Sequence, residues 1–87
     1  MAHSDLVTIT GTPVNLAAGL TAGDVRWGQN LGSTDIRIHD GATAPASATA
    51  GYSFYAPGAF FRFVAKADEG RWAWTPVGES QVALFEE

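Results

Sequence analysis

The aromatic residues of this 87-residue chain are concentrated in one stretch, Gly51-Tyr-Ser-Phe-Tyr-Ala-Pro-Gly-Ala-Phe-Phe-Arg-Phe-Val64. It holds both tyrosines and four of the five phenylalanines, and Pro57-Gly58 divides it. Proline presets φ for the first central position of a type II turn, and glycine accepts the positive φ of the second. The stretch therefore predicts two aromatic strands joined as a hairpin, with the hydrophobic core built around them.

Further strands are predicted on both sides of this stretch, because apolar and polar residues alternate there. In the clearest of them Ile36 and Ile38 face inward, and Arg37 faces outward with His39. Asn30–Thr34 contains glycine and is typical of a hairpin connection, whereas residues 41–50 form a long loop of small residues. The predicted strands are Leu6–Thr10, Val14–Leu16, Val25–Gln29, Asp35–Asp40, the two aromatic strands, Arg71–Thr75 and Ser80–Phe85.

Seven or eight short strands with turn signals between them predict an all-β fold. The connections are short, so the sheets are antiparallel, and the architecture is a small β-sandwich, a jelly roll or a barrel. One domain over residues 6–87 is expected, with residues 1–5 frayed.

The composition excludes several classes of partner. The net charge is −4 with only five basic residues, which argues against a nucleic-acid surface and against binding to anionic membranes. The chain contains no cysteine, so it forms neither disulfides nor thiolate metal sites. Charged residues are 16% of the chain and hydrophobic residues 46%, which predicts a surface that is either unusually apolar or partly covered by a partner.

No pattern of catalytic or metal-binding residues stands out. His39 precedes Asp40 on a predicted strand, where neighbours face opposite sides, so Asp40 is not placed to orient the imidazole. Asp40-Gly41 and Asp68-Glu69-Gly70 lack the alternating oxygen ligands of a calcium loop and are interpreted as turns. We expect no enzyme, no metal and no cofactor.

Two tryptophans of one strand, Trp72 and Trp74, share a face and allow three interpretations. They fill the core against Phe61 and Phe63, they lie in a subunit interface, or they form a flat platform for sugar rings. Asp35, Arg37 and His39 likewise share a face, either solvated or at an interface. The candidate interface residues are Trp72, Trp74, Phe60, Phe85 and Arg37.

Several short segments follow one another along the chain in a recognisable order. They are Thr12-Pro-Val-Asn-Leu16, Leu20-Thr-Ala-Gly23, Gln29-Asn30, Ala44-Pro45, Ala56-Pro-Gly58 and Val82-Ala-Leu-Phe-Glu86. In these segments the chain resembles small bacteriophage virion accessory proteins of the head decoration, head-fibre and stabilisation type. The resemblance implies a β-sandwich or β-barrel, symmetric oligomers that are frequently trimers, no cofactor and no catalysis. It also implies a place in the virion after assembly in the host bacterial cytoplasm.

The leading hypothesis is a structural protein that binds the outside of a phage capsid or tail as a homo-oligomer, with a trimer favoured. The subunit contact is expected at the last strand, Gln81–Phe85, interpreted as an open sheet edge, or at the aromatic hairpin. The alternative is a carbohydrate-binding host-attachment module that uses the Trp72/Trp74 face or the loop 41–50. A third, an enzyme of cupin-like shape, lacks the histidine cluster it needs.

Overall fold

The computed structural model describes residues 4–45 and 52–86, and these residues form eight β-strands and no helix. The predicted all-β fold is confirmed. The first strand begins at Ser4, two residues before the predicted start, while residues 1–3 of the segment expected to fray lie outside the described part. The strands are β1 (Ser4–Ile9), β2 (Val14–Asn15), β3 (Val25–Asn30), β4 (Ile36–Gly41), β5 (Ser53–Tyr55), β6 (Phe60–Val64), β7 (Gly70–Trp74) and β8 (Ser80–Glu86).

The strands pair in a nested order. They form two antiparallel four-stranded sheets: β1-β8-β3-β6, here called sheet A, and β2-β7-β4-β5, called sheet B. The first strand pairs with the last, the second with the seventh, the third with the sixth and the fourth with the fifth. A chain that folds as one long hairpin and rolls up in this way is a jelly roll, one of the predicted architectures.

The aromatic stretch is not the predicted hairpin. Its turn is as expected: Gly58 has a φ of 86°, and the N–H of Ala59 donates to the carbonyl of Ala56 at 3.0 Å. The strands on either side belong to different sheets, however, with β5 in sheet B and β6 in sheet A. The turn thus places Tyr55 against Phe61 across the core, with 5.0 Å between the ring centroids.

The hairpin predicted at Asn30–Thr34 is also wrong, because β3 lies in sheet A and β4 in sheet B. A buried side chain explains this crossing. The amide of Asn30 donates to the carbonyls of Thr34 at 2.9 Å and of Tyr55 at 3.0 Å, and its oxygen accepts from Ser80 at 2.6 Å. These bonds fasten the connection to both sheets.

The last strand is not an open edge, so the expectation of a subunit contact along an open edge of this strand is wrong. β8 lies between β1 and β3 and is paired on both sides. The edges of sheet A are β1 and β6 instead.

The core lies between the two sheets and matches the predicted inward positions. Ile36 and Ile38 are buried in it, opposite Phe61 and Phe63 of sheet A. The ring of Phe61 lies over Gly28, where a Cβ would come within 2.2 Å of the ring, so only glycine fits this position of β3.

Candidate interaction surface

The outer face of sheet A carries apolar side chains that face away from the core. β6 shows this most clearly, since Phe61 and Phe63 are each 4% exposed whereas Phe60 is 59% and Val64 44% exposed. An antiparallel sheet with one solvated face normally alternates apolar and polar residues. This strand is apolar on both faces, apart from Arg62 on the outer one.

The register of the strands gathers the outward apolar residues into one surface. Trp27 of β3 lies between Phe85 of β8 and Arg62 of β6. One step along the sheet, Ala83 lies between Leu6 and Gln29, and Phe60 follows on the other side of Gln29. We define the apolar face as Leu6, Trp27, Phe60, Val64 and Phe85.

The exposure of the apolar face is large for residues of this size. Leu6 is 67% exposed and Trp27 39%, while Phe85 is half-buried near the middle of the sheet. Isolated exposed apolar residues are normal, but a contiguous patch marks an interaction surface. Two of the predicted interface residues, Phe60 and Phe85, lie on this face.

The other three predicted interface residues lie on the opposite side of the molecule. Arg37, Trp72 and Trp74 project from the outer face of sheet B, where Arg37 is paired with Trp74. The Arg37 guanidinium lies 4.6 Å from the centroid of the Tyr52 ring, which packs edge-on against Trp74 with 5.8 Å between centroids. The five candidates therefore do not form one surface.

The two tryptophans do share a face, as predicted, but not in the core between the sheets. Ala73 is the residue of β7 that faces Phe61 and Phe63 in the core cluster. Trp74 is fully buried on the outer side, and Trp72 is half-buried, with its indole N–H donating to the carbonyl of Gly41 at 2.9 Å. Because Trp74 has no exposed ring face, the pair does not form a two-ring platform for a sugar.

The residues with titratable side chains are dispersed over the described surface. His39 is half-buried opposite Trp72 on the outer face of sheet B. Asp40 faces the other way and accepts from Nη1 of Arg71 at 3.1 and 3.2 Å. Within residues 4–45 and 52–86, no three histidine, aspartate or glutamate side chains are grouped so as to hold a metal ion.

A cleft of about 250 Å³ opens beside β6, at the end of the sandwich where Asp40 meets Arg71. The Arg71 guanidinium lies 5.2 Å from the centroid of Phe63, and its Nε is buried without a hydrogen-bond partner. Arg62 and Lys66 also line this cleft. Sequence reasoning missed it because Asp40 and Arg71 are 31 residues apart and no local pattern links them.

The predicted loop 41–50 is described only as far as residue 45, and residues 46–50 lie outside the described part. Ala42, from its first part, lines a shallow polar groove together with Trp72.

Comparison of the chain with protein-family models, curated proteins and solved structures finds no match. Nowhere in the described residues is there a helix of the length and apolarity that crossing a membrane requires.

Proposed function

We propose that this protein is a structural component of a bacteriophage virion. It forms a homo-oligomer, with a trimer favoured, and binds the outside of a capsid or tail, which it stabilises by covering apolar surface between subunits. Assembly takes place in the cytoplasm of the host bacterium. We expect no catalytic activity and no cofactor.

The observation that carries this proposal is the apolar face. Full burial of a large apolar side chain contributes about 1.5–3 kcal/mol. Phe60, Leu6 and Trp27 retain much of their exposure in the isolated chain, so contact with another protein gains that free energy. A specific contact buries on the order of 800 Å² on each partner.

The charge supports a protein partner rather than nucleic acid. The chain has a net charge of −4, and three of its five basic side chains, Arg26, Lys66 and Arg71, are paired with Glu86, Glu69 and Asp40. A nucleic-acid surface needs unopposed positive charge along one face.

The rival function, sugar binding by paired tryptophans, has less support. Stacking on a sugar ring needs an exposed aromatic face, and Trp74 is fully buried. Binding of this protein to the phage particle through its apolar face therefore remains the function that we propose.

The oligomer is tested by light scattering coupled to size exclusion, at tens of micromolar protein. We expect a single closed species larger than the monomer. Phe60→Asp, which places a charge in the apolar face, should convert that species to monomer without unfolding it, because the side chain is 59% exposed.

The matched control is Phe54→Asp. Phe54 is equally exposed, at 64%, but it lies on β5 in the other sheet, so its substitution should leave the oligomer intact. A monodisperse wild-type monomer would contradict the oligomer.

Binding to the particle is tested separately by sedimentation with purified virions of the phage that encodes the protein. Labelled wild-type protein should sediment with them, and Phe60→Asp should remain in the supernatant. Equal sedimentation of both proteins would show that the apolar face is not the attachment surface.

A further inference from the structure

The open edges of the two sheets differ in length. In sheet B the edge strands β2 and β5 have two and three residues, and short edges resist pairing with another chain. In sheet A the edge strands β1 and β6 have six and five residues, without proline. Both long edges therefore belong to the sheet that carries the apolar face.

The hydrogen bonds around β6 reveal which of its backbone groups are unpaired. Ala65 donates to Asp24 and accepts from Gly23, and Ala59 accepts from Asn30, so the odd-numbered residues face β3. Because successive residues of a strand point their N–H and C=O groups to opposite sides, those of Phe60, Arg62 and Val64 point to the open edge.

The same reasoning applies to β1. Gln81 accepts from Leu31, so residues 81, 83 and 85 of β8 face β3, and residues 80, 82 and 84 face β1. Their register partners are Ile9, Val7 and Asp5. The backbone groups of residues 4, 6 and 8 therefore point to the open edge.

The two edges have the geometry to pair with each other in successive copies. Sheet A alternates in direction throughout, so β1 and β6 run in opposite directions. Rotation about an axis parallel to the strands keeps these directions, and it brings β6 of the next copy antiparallel to β1. A contact between two different surfaces closes into a ring when the rotation closes.

Charge disfavours pairing of β6 with a second β6. Arg62 is the middle residue of this edge strand. Antiparallel pairing of two β6 strands about Arg62 would place two guanidinium groups opposite each other, and directly opposed like charges destabilise a sheet.

We propose that the copies of this protein join edge to edge, with β1 of one copy hydrogen-bonded antiparallel to β6 of the next in a closed ring. The register that pairs all the outward backbone groups places Leu6 opposite Arg62 of the next copy, and Thr8 opposite Phe60. Leu6 and Val64 lie at the two ends of the apolar face, so this pairing joins the apolar faces of neighbouring copies. The inference rests on the proposed homo-oligomer and specifies its contact.

Disulfide cross-linking tests the contact on a chain that has no cysteine of its own. Two single variants, Leu6→Cys and Arg62→Cys, are mixed, oxidised and measured by intact mass, which separates the mixed dimer from the two homodimers. Opposite residues in a hydrogen-bonded antiparallel pair have Cα atoms about 5.5 Å apart, within reach of a disulfide. We expect the mixed dimer to exceed both homodimers.

A chain that carries both cysteines extends the test. Within one copy the two positions are three strand spacings apart, about 14 Å, so they bond only between copies. Oxidation should link a covalent ring with the same number of copies as light scattering finds. Val77→Cys mixed with Leu6→Cys is the control for random collision, because Val77 is 68% exposed but lies in the β7–β8 connection.

Two results would overturn the inference. Mixed dimer no more abundant than in the Val77→Cys control excludes this edge contact, and a preponderance of homodimers assigns the contact to like edges. If light scattering still shows an oligomer in either case, only the edge pairing fails, whereas a monomer would contradict the proposed homo-oligomer as well.

Discussion

At the scale of single residues, the buried polar side chain of Asn30 fixes how the connections between strands are held. Asn30 is fully buried, and all parts of its amide are used: the nitrogen donates to two carbonyls, and the oxygen accepts from the Ser80 hydroxyl and the Gly32 N–H. Its own backbone carbonyl accepts from Gly58 at 2.7 Å. One residue thus connects β3, β8 and the turn that follows β5.

Asn30→Ala should destabilise the fold by about 3–5 kcal/mol, because several buried groups lose their partners at once. The free energy of unfolding in urea, measured at one fixed protein concentration, gives the value. Gln29→Ala is the neighbouring control: its amide makes a single exposed bond of 3.3 Å to Gly58, so its loss should cost under about 1 kcal/mol. Equal losses for the two variants would contradict the role assigned to Asn30.

At the scale of elements, the turns carry the chain from one sheet to the other rather than between neighbouring strands. Among the eight strands of the described residues, six of the seven connections cross between the sheets. Only the connection from β4 to β5 joins strands of the same sheet, and these two strands pair directly. The turn at Ala56–Ala59 shows why a tight reversal is compatible with a crossing. The aromatic side chains before and after it, Tyr55 and Phe61, contact each other across the core with their ring planes tilted by 39°, instead of lying side by side in one sheet.

Gly58→Ala tests this turn without disturbing packing, because no atom lies within 4 Å of the added methyl group. The positive φ of 86° should make the substitution cost about 1–2 kcal/mol. Gly11→Ala is the control, since Gly11 has no positive φ and its nearest neighbour is 3.9 Å away; it should be neutral or stabilising by about 0.4–1 kcal/mol. Thermal unfolding of both variants decides, and equal effects would show that the backbone of the turn contributes little.

At the scale of the whole molecule, the outer faces of the two sheets differ in how much contiguous apolar surface they expose. The outer face of sheet B covers Trp74 with Tyr52 and pairs its aromatic residues with Arg37. Sheet A leaves its apolar face and both of its long edges open. The contiguous apolar face and both long open edges are therefore on one sheet, which is why we place the subunit contact there.

Iodide quenching of Trp27 distinguishes a contact at the edges of sheet A from a contact across its apolar face. Trp27 is 39% exposed in the single chain and lies on β3, which is not an edge strand. Edge-to-edge pairing should therefore leave Trp27 as accessible to iodide in the oligomer as in the monomeric Phe60→Asp variant. The contribution of Trp27 is isolated by comparing each protein with its Trp27→Phe counterpart, because Trp74 is buried in both states. Weaker quenching of Trp27 in the oligomer than in the monomer would place the contact across the apolar face instead.

The sequence alone determined the local features of this protein: which segments are strands, which residues of each strand face inward, and where the chain reverses. The alternation at Ile36 and Ile38 and the Pro57-Gly58 turn depend on side-chain period and backbone conformation, which act between neighbours in the chain. Phe60 and Phe85 were named as interface candidates from an expected aromatic hairpin and an expected open edge at the last strand. The structure places both residues on the apolar face, although neither of those two expectations holds.

Only the tertiary structure decided which strands pair and which faces remain open. The alternation of a strand shows that it has two faces, but not which element covers each face. Trp74 lies outside the core because Ala73 occupies the core side of β7, and Tyr52 packs against Trp74 on the outer side. The crossings at Asn30 and Pro57 depend on hydrogen bonds and ring contacts between residues 25 or more positions apart or in opposite sheets. The Asp40–Arg71 cleft and the two open edges of sheet A also depend on the tertiary structure, because burial and strand pairing are determined by contacts between residues that are distant in the sequence.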